Sequence, residues 1–122
     1  MSPQPYGTIF ASEARTATVN GELYTNTEYK GVDVVIDVTA VASTPSVVFT
    51  IQGYDIASGK YYTILASAAI VGTGTTVLRV YPGLTAANNT VANFALPRAW
   101  RVIATHADSD SITYSVGFSA IK

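Results

Sequence analysis

The stretch GVDVVIDVTAV, Gly31–Val41, puts Val32, Val34, Ile36, Val38 and Ala40 on one side of an extended chain. Asp33, Val35, Asp37 and Thr39 fall on the other, because successive side chains of a strand point to opposite faces. This is the pattern of a half-buried strand with a clear inside. The composition agrees, with 14 Val, 9 Ile and 16 Thr in the chain. These β-branched residues are stiff at χ1, suit a pleated surface and weaken helices.

Working outward, the same period recurs wherever turn residues leave room for it. Ser46 to Tyr54 places Val47, Phe49 and Ile51 opposite Val48, Thr50 and Gln52. The six residues Asp55 to Lys60 read as a hairpin loop, with Gly59 suited to positive φ. Strands are predicted over Tyr61 to Ile70 and, beyond the Gly72-Thr73-Gly74 turn, over Thr75 to Tyr81, where Pro82-Gly83 stops the chain. PGLTAANNTVANFALP is the longest connection without period, and its alanines suggest a short helical turn within Thr85 to Ala92. Two final strands, Ala99 to His106 and Ser111 to Ile121, flank the turn ADSDS. Towards the N-terminus, Arg15 to Val19 reads as a strand, with Asn20-Gly21 as a tight turn into Glu22 to Thr25.

Seven or eight short strands spaced by roughly ten residues predict an all-β, single-domain antiparallel β-sandwich over residues 15–122. The pattern leaves both a jelly-roll and an immunoglobulin-like topology open. Residues 1–14 carry two prolines before Tyr6 and no alternation, so they read as an extended N-terminal arm. Tyr6, Ile9 and Phe10 are apolar enough that the arm should lie against something, and they are the predicted partner-contact residues.

The chain has 122 residues, enough for one domain with a real core. It is 48% hydrophobic, which excludes disorder. A formal net charge of -1 gives no field to attract a polyanion, so nucleic-acid binding is not expected. The absence of cysteine removes disulfides and thiolate metal sites. Charged residues make up 12% of the chain, about half the usual share of ~25%. That scarcity raises the question of a membrane span, and the uncharged run between Lys60 and Arg79 is long enough for one. Its second half is threonine and glycine, so no span is expected. The opening residues lack the basic start of a signal peptide, and a soluble protein is expected.

The candidate chemistry is sparse. His106, Asp108 and Asp110 have ligand types at close spacing, but Asp and Ser are also the residues that build polar turns, and the turn is the better reading. Asp33 and Asp37 share a strand face at about 13 Å, wider than a glycosidase pair of ~5–9.5 Å. No Gly-x-Ser-x-Gly stands around Ser58, and Gly72-x-Gly74 lacks what a dinucleotide site needs. Asn88-Asn89-Thr90 matches a glycosylation sequon that carries no weight without an export signal. Tyr54, Tyr61, Tyr62 and Tyr81 flank loops or strand ends, where they suit core edges, protein interfaces or, less readily, a sugar platform. No enzyme activity and no cofactor are expected.

Four segments resemble small virion proteins of tailed bacteriophages and prophages: GVDVVIDVTAV, FTIQGYDIASGKYYTILASAAI, GTGTTVLRVYPGLTAANNTVAN and LPRAWRVIATHADSDSITYSVGFSAI. They cover most of the chain from Gly31 onward, and the LPRxWRVxxTHxDxxSITYSVG stretch, Leu96 to Gly117, carries most of the likeness. Residues 1–14 lie outside it. A small all-β protein with an N-terminal arm is similar to head decoration (cement) proteins, which sit on the capsid exterior, commonly as trimers, and stabilise subunit contacts. The resemblance implies the major capsid protein and copies of the chain itself as partners, and the phage head surface as location after synthesis in the host cytoplasm. A tail-tube or tail-tip component and a host-glycan adhesion module are the alternatives.

Overall fold

The computed structural model describes residues 5–122. Ten strands follow one another: β1 (Tyr6–Arg15), β2 (Val19–Asn20), β3 (Tyr24–Thr25), β4 (Gly31–Val41), β5 (Val47–Asp55), β6 (Lys60–Ala66), β7 (Gly74–Val80), β8 (Val91–Ala92), β9 (Ala99–His106) and β10 (Ile112–Ile121). There is no helix among the described residues, so none is long and apolar enough to cross a membrane.

The strands form two sheets, one in the order β1-β10-β4-β7-β8 and the other β2-β9-β5-β6, with β3 also paired to β9. β2 and β3 both pair with β9 and act as one interrupted strand. β8 is a two-residue parallel addition to β7, and every other pairing between strands is antiparallel. Counted in this way, eight principal strands fill the two four-stranded sheets in the double Greek-key order of a jelly roll. The topology left open by the sequence is therefore closed: this β-sandwich is a jelly roll.

The alternation in β4 holds from Val32 to Val38, but Ala40, expected on the same face, is exposed, because a bulge opposite Thr113 and Tyr114 shifts the phase after Val38. Val32, Val34, Ile36 and Val38 are buried between the sheets, facing Val47, Phe49, Ile51, Val102 and Ala104 of the opposite one. Burial of such side chains at about 25 cal/mol per Å² is the main force holding the layers together. Two aromatic clusters sit toward opposite ends of the core. Phe10, Phe49 and Tyr114 form one, and Tyr24, Trp100 and Phe118 form the other. Gly31, where β4 starts, runs so close to the neighbouring strand that a Cβ there would overlap the Val80 carbonyl oxygen. Gly53 has a different reason: the Tyr62 ring of the paired strand covers the place its side chain would take.

Expectations for several segments change. Most of the segment read as an arm is β1, hydrogen-bonded to β10, and the boundary between residues 14 and 15 falls inside that strand. The strand read over Arg15 to Val19 is absent: Arg15 ends β1, and residues 16–18 carry the chain to β2 in the other sheet. Pairing to β10 satisfies its backbone, and Phe10 is drawn into the core. Residues 1–4 of that arm lie outside the described residues. Asn20-Gly21 does not close a hairpin, since the segments on either side both add to β9. β6 ends at Ala66 rather than Ile70, because Ser67 turns the chain by taking the Phe49 amide on its Oγ. The helical turn expected within Thr85 to Ala92 is absent: Asn89 adopts φ 63°, which a right-handed helix does not permit, and its amide donates to the Ala66 carbonyl.

Candidate functional site

The structure separates the residues that might have carried chemistry. His106 ends β9, and its Nε2 shares a 3.0 Å hydrogen bond with the Tyr114 hydroxyl of the opposite sheet. Asp110 instead turns to Thr44, accepting from its amide at 3.2 Å and its hydroxyl at 3.4 Å. Asp108 accepts from the Asp110 amide at 3.1 Å. The three residues thus form a strand end and a turn. No group of three or more His, Asp or Glu among the described residues is placed to hold a metal ion.

Asp33 and Asp37 are divided by their partners. Asp33 accepts from Arg79 Nε at 2.8 Å across the β4–β7 pair, and the carboxylate beside it raises the guanidinium pKa further. Asp37 has Thr75 Oγ1 at 3.4 Å. Ser58 donates to Asp55 at 2.7 Å within the β5–β6 loop, and this bond, with one from the Ala57 amide, holds the Asp55 carboxyl below its usual range. That is the chemistry of a turn: the serine hydroxyl donates to a carboxylate and has no base to activate it.

The tyrosines are engaged by their own chain. Tyr54 and Tyr61 are cross-strand partners with ring centroids 4.7 Å apart, and the Arg101 guanidinium lies 3.4 Å from the Tyr61 ring centroid. Gln52 Oε1 fixes that guanidinium by accepting from Nε at 2.9 Å. Tyr62 covers Gly53, and the Tyr81 hydroxyl donates to the Lys122 carbonyl at 2.9 Å. Arginine over one tyrosine and a second tyrosine tilted against it make this corner a cation–π cluster, in which Tyr61 and Tyr62 remain 38% and 40% exposed.

Of the three predicted contact residues, only Tyr6 faces solvent, at 73% exposure. Ile9 packs against the core and Phe10 is buried within it. Their apolar character is met inside the chain, which position alone in the sequence could not disclose. Exposed apolar side chains to which the sequence reading gave no role are Val35, Val41, Val77, Ile56, Val71 and Phe94. A valine on the charged face of β4 was the available signal for the first of them. Asn26 was also passed over. It is buried, and its amide nitrogen donates to the Tyr29 and Leu96 carbonyls while its oxygen accepts from the Tyr29 amide, so it ties two connections together.

One buried polar arrangement has a pH consequence. His106 Nδ1 is buried without a hydrogen-bond partner among the described residues. Burial lowers the His106 pKa below its ordinary 6.5; Asp108 opposes the shift and Arg15, across from it on β1, adds to it. The folded state therefore binds this proton more weakly than the unfolded chain, and stability falls as pH drops through the unfolded value. Urea melts between about pH 7 and about pH 5 should show wild type losing more stability than His106→Gln. Parallel slopes for the two proteins would refute this.

Between Leu96 and Gly117, Leu96, Trp100, Val102, Ala104, Ile112, Tyr114 and Val116 are buried in the core, and β9 and β10 belong to opposite sheets. No protein-family model matches the chain, and no curated protein is similar enough to stand as a relative.

Proposed function

We propose that the protein is a structural component of a tailed-phage particle, a decoration protein that binds the assembled head and stabilises it. The observation that carries this reading is the surface. Val35, Ile56, Val71, Val77, Phe94 and Tyr6 are each at least 39% exposed, on a chain with 7 Lys+Arg and 8 Asp+Glu. A free monomer gains nothing from such a surface, whereas subunits of an assembly cover it. The jelly roll supports the reading by analogy, since viral capsid domains use it, although lectin domains use it as well. A protein that binds only the assembled shell stabilises that shell by mass action.

The test is the copy number and location of this chain in purified particles of the phage that encodes it. Quantitative mass spectrometry should find it near the copy number of the major capsid protein, and a reconstruction should show its density over the head. A few copies confined to the tail, or none in the particle, would overturn the proposal.

A further inference from the structure

The chain holds five asparagines, and one of them, Asn20, is followed by glycine. Such a pair is the reactive context for loss of a side-chain amide. The backbone nitrogen of the next residue attacks the asparagine side-chain carbon, and glycine has no Cβ to obstruct the approach. The other four asparagines lack this context. Asn26, Asn88, Asn89 and Asn93 precede Thr27, Asn89, Thr90 and Phe94. Asn26 is also buried with both amide atoms bonded. The Asn89 amide donates to the Ala66 carbonyl at 3.0 Å, and the Asn93 oxygen accepts from the Gly83 amide at 2.7 Å.

The fold sets its geometry against this reaction. Asn20 ends β2 with its side chain exposed, and the Gly21 amide donates to the Val102 carbonyl of β9 at 2.7 Å. The proton that must leave before the nitrogen attacks is thus held by an acceptor in the plane of the sheet, while the Asn20 side chain stands off that plane. A Cβ at position 21 would overlap the Val102 carbonyl oxygen, so the glycine that makes the pair reactive is also the residue this close approach needs. The restraint is nevertheless local. β2 is two residues long and outermost in its sheet, with β9 as its partner. Short edge segments of this kind open far more readily than the whole domain unfolds.

We propose that Asn20 is a site of spontaneous deamidation gated by β2, reacting only while Gly21 is released from Val102. On release, solvent hydroxide takes the Gly21 amide proton and the nitrogen bonds to Asn20 Cγ. The Cγ–Nδ2 bond breaks, and ammonia leaves with a proton from water, which closes a five-membered succinimide. Water then opens the ring. Breaking the new Cγ–N bond leaves aspartate, whereas breaking the original peptide bond leaves isoaspartate, with the chain running through Cγ. No electron is gained or lost. Either product adds a negative charge to a chain of formal net charge -1. Isoaspartate also lengthens the backbone by one carbon, which puts Gly21 out of register with Val102. A transient opening of the sheet edge is thereby recorded as a permanent change. The inference stands apart from the virion reading, since it requires only this chain.

The test follows the full chain in mildly alkaline buffer, folded or in guanidinium chloride, by mass spectrometry of its tryptic peptides. The peptide Thr16–Lys30 carries Asn20 and Asn26, and fragmentation tells them apart. Asn20 should be modified ahead of every other asparagine, at least about tenfold more slowly in the folded chain than in the unfolded one. Hydrogen exchange of the Gly21 amide, read by NMR, tests the gate itself. The slowing should match the Gly21 protection factor to within about threefold, because both reactions need the same N–H freed. Asn20→Gln, whose attack requires a larger ring, should abolish the modification. Equal rates in folded and unfolded chains would overturn the proposal, as would earlier modification of another asparagine, modification that persists in Asn20→Gln, or a slowing that does not follow Gly21 protection.

Discussion

Replacing Tyr114 by alanine should remove about 3–5 kcal/mol of folding stability, the range for emptying a buried aromatic site. Tyr114 is fully buried, with its ring edge-on to Phe49 at 4.9 Å and to Phe10 at 6.3 Å. The Arg15 guanidinium lies 4.7 Å from the Tyr114 ring centroid and donates to the Tyr114 carbonyl at 3.0 Å. One side chain thus holds β1 and β10 of one sheet to β5 and β9 of the other. Burial also pushes its phenol pKa up to about 12, so the hydroxyl stays neutral and bonded to His106. Against a total stability of about 5–15 kcal/mol for a domain, the alanine variant should sit close to unfolding at body temperature. Tyr114→Phe isolates the polar part. It keeps the ring but leaves His106 with neither nitrogen partnered, which costs about 1–3 kcal/mol. Urea denaturation followed by the single tryptophan gives both numbers. Equal losses in the two variants would show that packing contributes little, contrary to the geometry.

The strands that sequence reading placed well are those in which period and burial coincide. β4 alternates from Val32 to Val38, β9 from Trp100 to Ala104 and β10 from Ile112 to Phe118, and the observed bounds of all three match the predicted ones within a residue. The failures have a common cause. β1 carries irregularities between Thr8 and Phe10 and between Phe10 and Glu13, and each shifts the side-chain phase. A strand interrupted in this way shows no alternation, so it read as an arm and its Phe10 read as a surface contact. Pairing partners are just as hidden: Asn20-Gly21 has the chemistry of a hairpin, and only the presence of β9 beside both flanking segments decides otherwise. The outer face of the β1-β10-β4-β7 sheet was half legible. The alternation put Asp33, Val35 and Asp37 together on one side, but Arg79 and Val77 joined them only through the register with β7.

The second large effect belongs to the opposite end of the core. Trp100→Ala should also cost about 3–5 kcal/mol, since the indole is 2% exposed and packs against Tyr24 at 5.1 Å and Phe118 at 5.3 Å. Its consequence should be local before it is global. β3 is two residues long, is paired to β9 through Tyr24 and Thr25, and is followed by the Asn26 amide donating to the Arg98 carbonyl. Without Trp100 beneath it, this short strand should lose hydrogen-exchange protection while β4 and β10 keep theirs. The two aromatic clusters make a sharper test together than either does alone. Tyr114 and Phe118 stand four residues apart on β10, about 13 Å along the strand, and the two clusters share no ring contact. The losses of Tyr114→Ala and Trp100→Ala should therefore add to within about 0.5 kcal/mol. Trp100 and Phe118 touch edge to face, so their double-mutant cycle should show a coupling of about 0.5–1.5 kcal/mol. Strong coupling between Tyr114 and Trp100, or none between Trp100 and Phe118, would mean that the sandwich core responds as one unit instead of two aromatic ends joined by an aliphatic middle.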